Sequence, residues 1–166
     1  MKQYIFSFFL ILTFVFSCTY TQKVRDGKFA YERKQYAVAV DLLNKEYKKA
    51  KSTIEKGKIA FLLGESYKKT NQIDKASEWY QNAYDFSYGV DALKEYAFAL
   101  QSMGEYKQAM QAFKDLGIEI GSPYEYKREI KGCEIALTWL EEGAYEEYSI
   151  GKMKLNSRAM DYSPAI

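Results

Sequence analysis

The feature that most constrains the fold is a repeat of about 33 residues in the middle of the chain. The segments 63–84 and 96–117 align without a gap at a spacing of 33 residues. The matching positions pair Gly64 with Ala97, Tyr67 with Leu100, Asn71 with Gly104, Ala76 with Ala109, and Tyr80 with Phe113. A period of this length predicts stacked helix pairs, because one pair cannot bury its apolar stripe alone.

An earlier and more divergent copy precedes these two. Tyr36 and Ala39 match Tyr106 and Ala109, but Ala39 lies 37 residues before its second-repeat counterpart. We expect the extra residues in the polar stretch 48–53, between helices. The small residues of each copy predict close approach of the paired helices, with an aromatic ring filling the space beyond the contact.

This pattern resembles the tetratricopeptide (TPR) repeat, whose unit has about 34 residues. The resemblance spans 21–142, and it lacks the Trp and the terminal Pro of the TPR consensus. A Sel1-like or other helical-hairpin repeat is the structural alternative. The resemblance implies an all-α, TPR-like helix-hairpin solenoid of about three repeats plus a capping helix, over residues 18–142.

Helix ends support this division. Ser52 to Glu55 form the pattern of a capping box that opens the second repeat. Ser122 to Glu125 repeat the pattern, with Pro123 at the first helical position. We expect a final capping helix from there to about Glu142. One face of it carries Ile130, Cys133, Leu137 and Leu140.

The amino terminus has the form of a secretory signal. Lys2 precedes an apolar run over 4–16, whose roughly 20 Å of helix is too short to cross a bilayer core of about 30 Å. The run ends in Val15-Phe16-Ser17-Cys18, which resembles a bacterial lipobox with an unusually bulky Phe16. The resemblance implies a signal peptide over 1–17 and lipidation of Cys18. An uncleaved signal anchor is the alternative.

The residues after Cys18 bear on location. The stretch 19–23 has no acidic residue, whereas surface-exported lipoproteins of the Bacteroidetes tend to carry Asp or Glu there. We therefore expect an outer-membrane lipoprotein, anchored through the lipid on Cys18, on the periplasmic face.

The last segment, 143–166, changes character. Residues 148–155 alternate apolar and polar, which is a strand pattern. With a lipobox and TPR-like pairs before it, the stretch 155–165 resembles the Bacteroidetes family of PorE-like lipoproteins, associated with type IX secretion. In that family a TPR region leads into a β-propeller and an OmpA-like peptidoglycan-binding domain. The resemblance implies that 143–166 is a linker and the first propeller strand, and that peptidoglycan would be bound only through a domain absent from this chain.

The composition gives little support to catalysis. The 166 residues contain no His and only two Cys, and 24 basic residues nearly balance 22 acidic ones. A net charge of +2 gives no electrostatic reason to expect nucleic acid as a partner. No metal-ligand cluster, phosphate loop or nucleophile motif occurs, so we expect no enzyme activity, no cofactor and no metal. Cys133 is expected to pack in the core.

A partner would then bind in the groove lined by the first helix of each repeat. Phe61 and Phe98 are either anchors for a peptide or helix, or core residues between repeats, and the sequence leaves this open. The candidate groove residues are Tyr31, Phe61, Glu65, Lys68, Lys94, Phe98 and Gln101.

These expectations favour a non-catalytic interaction scaffold that docks an envelope protein complex, of type IX secretion or of peptidoglycan attachment. The alternative is a lipoprotein of an outer-membrane uptake system that binds a peptide or glycan. Glycan binders of this kind present Trp platforms, and we expect both Trp79 and Trp139 beside packing positions, which weakens the alternative.

Overall fold

The computed structural model describes residues 24–142, and within them every regular element is an α-helix. The signal segment, Cys18 and the predicted strand in 143–166 therefore lie outside the described residues. Three helix pairs and one last helix follow one another along the chain. Their bounds are α1 (Gly27–Glu32), α2 (Tyr36–Lys49), α3 (Thr53–Lys69), α4 (Ile73–Asp85), α5 (Val90–Ser102), α6 (Tyr106–Glu119) and α7 (Lys127–Glu141).

The helices pack in chain order. Each contacts the next, and α1 also touches α3. Such neighbour-to-neighbour packing is the arrangement of a TPR-like helix-hairpin solenoid, so the predicted fold class is confirmed for the described residues.

The turn inside each pair repeats with the same geometry. Its middle residue has a left-handed backbone: Lys34 at φ 60°, Asn71 at 59° and Gly104 at 81°. In each turn the next amide donates to a carbonyl five residues earlier, as in Gln72 N to Tyr67 O at 3.0 Å. This hydrogen bond closes the helix end in a Schellman motif. The predicted alignment of Asn71 with Gly104 is confirmed, and Lys34 extends it to the first pair.

Small residues bring the paired helices together as the repeat predicts. The fourth residue of each second helix is a fully buried alanine, at Ala39, Ala76 and Ala109. Across the α3–α4 pair, a Cβ added to Gly64 would lie 2.6 Å from the ring of Tyr80, which is itself completely buried. Only glycine fits there without displacing the ring.

Two predicted helix starts need correction. Ser52 is the N-cap of α3, but its side chain makes no capping hydrogen bond, so the predicted capping box does not form. The last helix begins at Lys127 instead of near Pro123, because 123–126 form turns in which Glu125 N donates to Ser122 O. A side-chain cap occurs at α1, where Phe29 N donates to Asp26 Oδ1 at 2.8 Å.

The extra residues between the first and second repeats do not lie in 48–53, where the sequence predicts them. Helix α3 has 17 residues, whereas its counterpart α5 has 13. The connection 50–52 is short. The insertion therefore lengthens α3 by about one turn and leaves the loop before it compact.

Candidate functional site

The seven candidate groove residues lie on the first helices of the three pairs. We call the surface they form the first-helix face. It comprises Tyr31 on α1, Phe61, Glu65 and Lys68 on α3, and Lys94, Phe98 and Gln101 on α5. The structure brings most of these side chains into contacts between successive repeats.

Glu65 is the centre of a polar cluster on this face. The Tyr80 hydroxyl donates to Glu65 Oε1 at 2.6 Å, and the Tyr31 hydroxyl donates to Oε2 at 3.1 Å. Burial, followed by the charge of Glu65 and the hydrogen bond to it, raises the pKa of Tyr31 to about 12. Burial and the same carboxylate raise the pKa of Tyr80 as well. Both phenols therefore remain protonated donors near neutral pH, and they hold Glu65 in one orientation.

Two further contacts continue this cluster along the first helices. The Lys68 ammonium on α3 pairs with Glu95 Oε2 on α5. At the next junction, Gln101 Nε2 on α5 donates to Cys133 Sγ on α7 at 3.5 Å. Each first helix is thus joined to the next by a polar contact, since Tyr31 and Glu65 join α1 to α3. Lys94 projects into solvent.

The alternatives left open for Phe61 and Phe98 are resolved towards packing. Both rings are partly buried and pack against core clusters. Phe98 meets Phe113 edge-on, with ring centroids 5.1 Å apart. Phe61 stacks on Tyr88 at 4.2 Å and 9°, and it also contacts Tyr80 at 5.7 Å. Neither ring is a free anchor on the face.

Sequence reasoning missed two residues of this face, Tyr88 and Glu95. Tyr88 covers Phe61 and keeps 36% of its own surface exposed, so it is the aromatic ring that the face presents to solvent. It lies in the connection 86–89, between left-handed residues at Ser87 (φ 58°) and Gly89 (φ 113°). A helical repeat pattern carries no signal for a loop residue, and the Ser-Tyr-Gly turn sequence was the available hint.

A small cavity lies beneath the Lys68–Glu95 pair. Its volume is about 50 Å³, and Tyr80, Phe98 and Ala99 line it. Ligand pockets for small molecules usually measure about 300–1,000 Å³. This cavity has room for only a few water molecules, so the first-helix face offers a surface there and no pocket of ligand size.

The polar and acidic side chains of the described residues form no metal site and are paired where they are buried. Across 24–142 no cluster of three or more His, Cys, Asp or Glu side chains could hold a metal ion. In the same range, every buried side-chain nitrogen or oxygen has a hydrogen-bond partner. Cys133 is fully buried, as predicted, and burial raises the pKa of its thiol.

One tryptophan departs from its prediction. Trp79 is half-buried and meets Tyr47 edge-on at 4.9 Å, as a residue beside a packing position should. Trp139 on α7 is instead 60% exposed. The predicted inner face of α7 is correct for Ile130 and Cys133, whereas Leu140, predicted on the same face, is 45% exposed. Trp139, however, lies on the opposite side of that helix.

Comparisons with known proteins do not assign this chain to a family. Neither a search against protein-family models nor one against curated proteins gave a match. None of the helices in residues 24–142 combines the length and the apolar character needed to cross a membrane. The proposed lipidation site, Cys18, lies outside the described residues.

Proposed function

We propose that this chain is a non-catalytic scaffold for protein–protein interaction, anchored in the bacterial envelope through a lipid on Cys18. The proposed location is the periplasmic face of the outer membrane. The partner would be an envelope protein complex, of type IX secretion or of peptidoglycan attachment. The lipobox-like sequence at 15–18 supports the anchor, and the first-helix face supports the scaffold.

The observation that carries the scaffold is the polar cluster that fixes this face. Glu65 is held by two tyrosine hydroxyls, and Lys68 is paired with Glu95 on the next helix. These contacts order the side chains before a partner arrives, which lowers the entropy cost of binding. An open, ordered surface with one exposed aromatic ring suits a protein partner better than a small molecule.

The binding contacts would be made by the residues of this face that keep free surface. Tyr88 supplies a flat ring backed by Phe61, a rigid aromatic of the kind enriched at binding hot spots. Lys94 supplies an exposed cation on α5, the helix that follows Tyr88 in the chain. Because Lys68 is already paired with Glu95, Lys94 is the better candidate for a contact with an acidic group on a partner.

The scaffold is tested by affinity capture from solubilised envelopes with the full chain as bait. We expect a stoichiometric complex that survives washing. Tyr88→Ala and Lys94→Glu should each lower the affinity of this complex at least tenfold, which is about 1.4 kcal/mol or more. Lys114→Glu is the matched control, since Lys114 is an exposed lysine on the second-helix side. Full recovery of the complex by both face variants would overturn the role of this face.

The anchor requires its own experiment. Cys18→Ala should release the chain from membranes during a carbonate wash, since two acyl chains on the amino terminus would otherwise hold it there. Retention of the Cys18→Ala protein in the washed membranes would contradict lipidation at this residue.

A second candidate function, ligand binding in an uptake system, is favoured by one observation. Trp139 is exposed, as a glycan-stacking platform would be. Binding of oligosaccharides that Trp139→Ala abolishes, by a chain that captures no protein partner, would favour this candidate over the scaffold.

A further inference from the structure

The last helix has two opposed faces, and only one is used within the described part of the chain. Its inner face packs Ile130 and Cys133 into a core cluster with residues of α5 and α6. Terminal elements of a solenoid normally carry a polar outer face, because nothing follows to cover them. Here the outer face includes Ile135, 41% exposed, and Trp139, 60% exposed.

The exposed residues on this outer face form a regular seam. Five exposed residues at alternating spacings of four and three share one side of the helix, and the two apolar ones, Ile135 and Trp139, lie four residues apart. We call this stripe the outer seam of α7. It consists of Arg128, Gly132, Ile135, Trp139 and Glu142, all of them exposed.

Gly132 in the middle of this seam is not required by the packing of its own molecule. A Cβ added there would have only Gln101 Nε2 within reach, at 4.0 Å. A glycine within a helix costs about 1 kcal/mol relative to alanine. Next to it an open depression of about 630 Å³ is lined by Tyr124, Arg128 and Ile135, among others. The glycine therefore leaves the surface of α7 open at this point.

We propose that the outer seam binds the same seam of a second copy of this chain, with the two α7 helices antiparallel. When a second copy of the seam is turned end to end about Ile135 and laid on the first, the two Ile135 side chains face each other. The same reversal sets Trp139 of the second copy opposite Gly132, in the depression beside Tyr124 and Arg128. It also sets Glu142 of the second copy opposite Arg128. A two-fold axis repeats each contact, as an isologous dimer requires.

The charges of α7 fit this reversal. Its amino-terminal part carries three basic residues, Lys127, Arg128 and Lys131, against one acidic residue, Glu129, and its carboxy-terminal part carries Glu134, Glu141 and Glu142. An antiparallel pair therefore sets basic ends against acidic ends, whereas a parallel pair would set like charges together. This self-complementarity favours a second copy as the occupant over an unrelated partner.

The basic residues are not locked into other contacts. Arg128 pairs with its neighbour Glu129 at 3.2 Å while 93% of its side chain stays exposed. Lys131 pairs with Glu134 at 3.0 Å, also on the surface. An exposed pair such as Lys131–Glu134 contributes about 0–1 kcal/mol, so Lys131 exchanges readily for a contact across the seam. Arg128 is free to turn outward as well, although the Glu129 side chain that it contacts is only 17% exposed. A seam one helix long, about 22 Å, predicts an association that depends on concentration.

A cross-linking experiment on the full chain in bacterial membranes tests this dimer. Ile135→Cys should give a covalent dimer under mild oxidation, because the two residues would face each other on the axis. Ile54→Cys, at a 65% exposed position on α3, is the matched control and should stay monomeric.

Charge reversal tests the antiparallel arrangement itself. In the Ile135→Cys background, Arg128→Glu or Glu142→Arg alone should lower cross-linking about tenfold, since like charges would then face each other. The double variant should restore it. Within one helix these residues are about 21 Å apart, so they cannot compensate each other inside a single molecule.

Three results would overturn the proposal. The first is equal cross-linking of Ile135→Cys and Ile54→Cys. The second is failure of the double variant to recover. The third is cross-linking that appears only when the chain is ended after Glu142, which would assign the outer seam to residues 143–166 of the same chain.

Discussion

Two helix glycines, Gly64 on α3 and Gly132 on α7, differ in how much space surrounds them. Gly64 on α3 lies against the buried ring of Tyr80, with no room for a methyl group. Gly132 on α7 faces an open depression, and a methyl group there would touch almost nothing. The first glycine is explained by the molecule itself. No contact within the described residues requires the second.

The same contrast holds for the aromatic residues beside them. Tyr80 is fully buried, and its hydroxyl is bound to Glu65. Trp139 is mostly exposed at the end of the stack. Among residues 24–142, the interior repeats complete their interfaces with neighbours on both sides, whereas α7 has a described neighbour on one side only.

The largest expected effect tests the interior against the end of the stack. Tyr80→Ala should lower the free energy of unfolding by about 3–5 kcal/mol, because it leaves a cavity at the junction of α3, α4 and α5. Trp139→Ala should change it by less than about 0.5 kcal/mol in dilute protein. Urea unfolding followed by circular dichroism measures both. A similar loss in the two variants would remove the distinction between these regions.

The glycines themselves give the next effect, and the two changes should differ in sign. Gly64→Ala should destabilise the protein by about 1–3 kcal/mol, since the new Cβ would lie 2.6 Å from the Tyr80 ring. Gly132→Ala should stabilise the monomer by up to about 1 kcal/mol, through higher helix propensity and fewer unfolded conformations. Thermal unfolding of the two single variants is the measurement. Stabilisation by Gly64→Ala would contradict the close approach described for α3 and α4.

The smallest effect concerns the first-helix face and is resolved by pH. Tyr31→Phe should cost about 1 kcal/mol at pH 7, where the hydroxyl donates to Glu65. Because the folded-state pKa of Tyr31 is raised to about 12 from the usual 10, its contribution is complete below pH 10. It is lost as the pH rises from 10 through 12, so the gap between wild type and variant should close there.

Urea midpoints at pH 7, 9 and 11 measure this gap. Tyr124→Phe, which removes a hydroxyl from an 83% exposed side chain, is the matched control at pH 7. No gap between wild type and Tyr31→Phe at pH 7 would show that this hydroxyl does not stabilise the fold. A gap that stays constant up to pH 11 would show that its contribution does not depend on the protonated phenol.

The sequence predicted the repeat well because its signals are local. Small and aromatic residues recur at the period, and Asn71 and Gly104 mark equivalent turns with left-handed backbones. The start of α7 was wrong because Ser122 and Pro123 satisfy a capping pattern, yet the chain makes turns there before it becomes helical. Local patterns give the type of an element more reliably than its first residue.

The candidate face was predicted only in outline. The period places Tyr31, Glu65 and Gln101 on first helices, and this is correct. The partner of each depends on the distance and angle between helices that are about 33 residues apart, which no local pattern encodes. The two hydroxyls on Glu65 and the stacking of Tyr88 on Phe61 could therefore be seen only in three dimensions.

Each helix packs chiefly against the helix before it and the helix after it. This order of packing has a consequence for how such a chain evolves. Duplication of one 33-residue unit would add a hairpin between α1 and α7 and reuse interfaces that already exist. A protein with a single closed core would have to rebuild that core to gain the same length. Such duplication would change the distance between α1 and the outer seam of α7 in steps of one hairpin and would leave both of these helices intact.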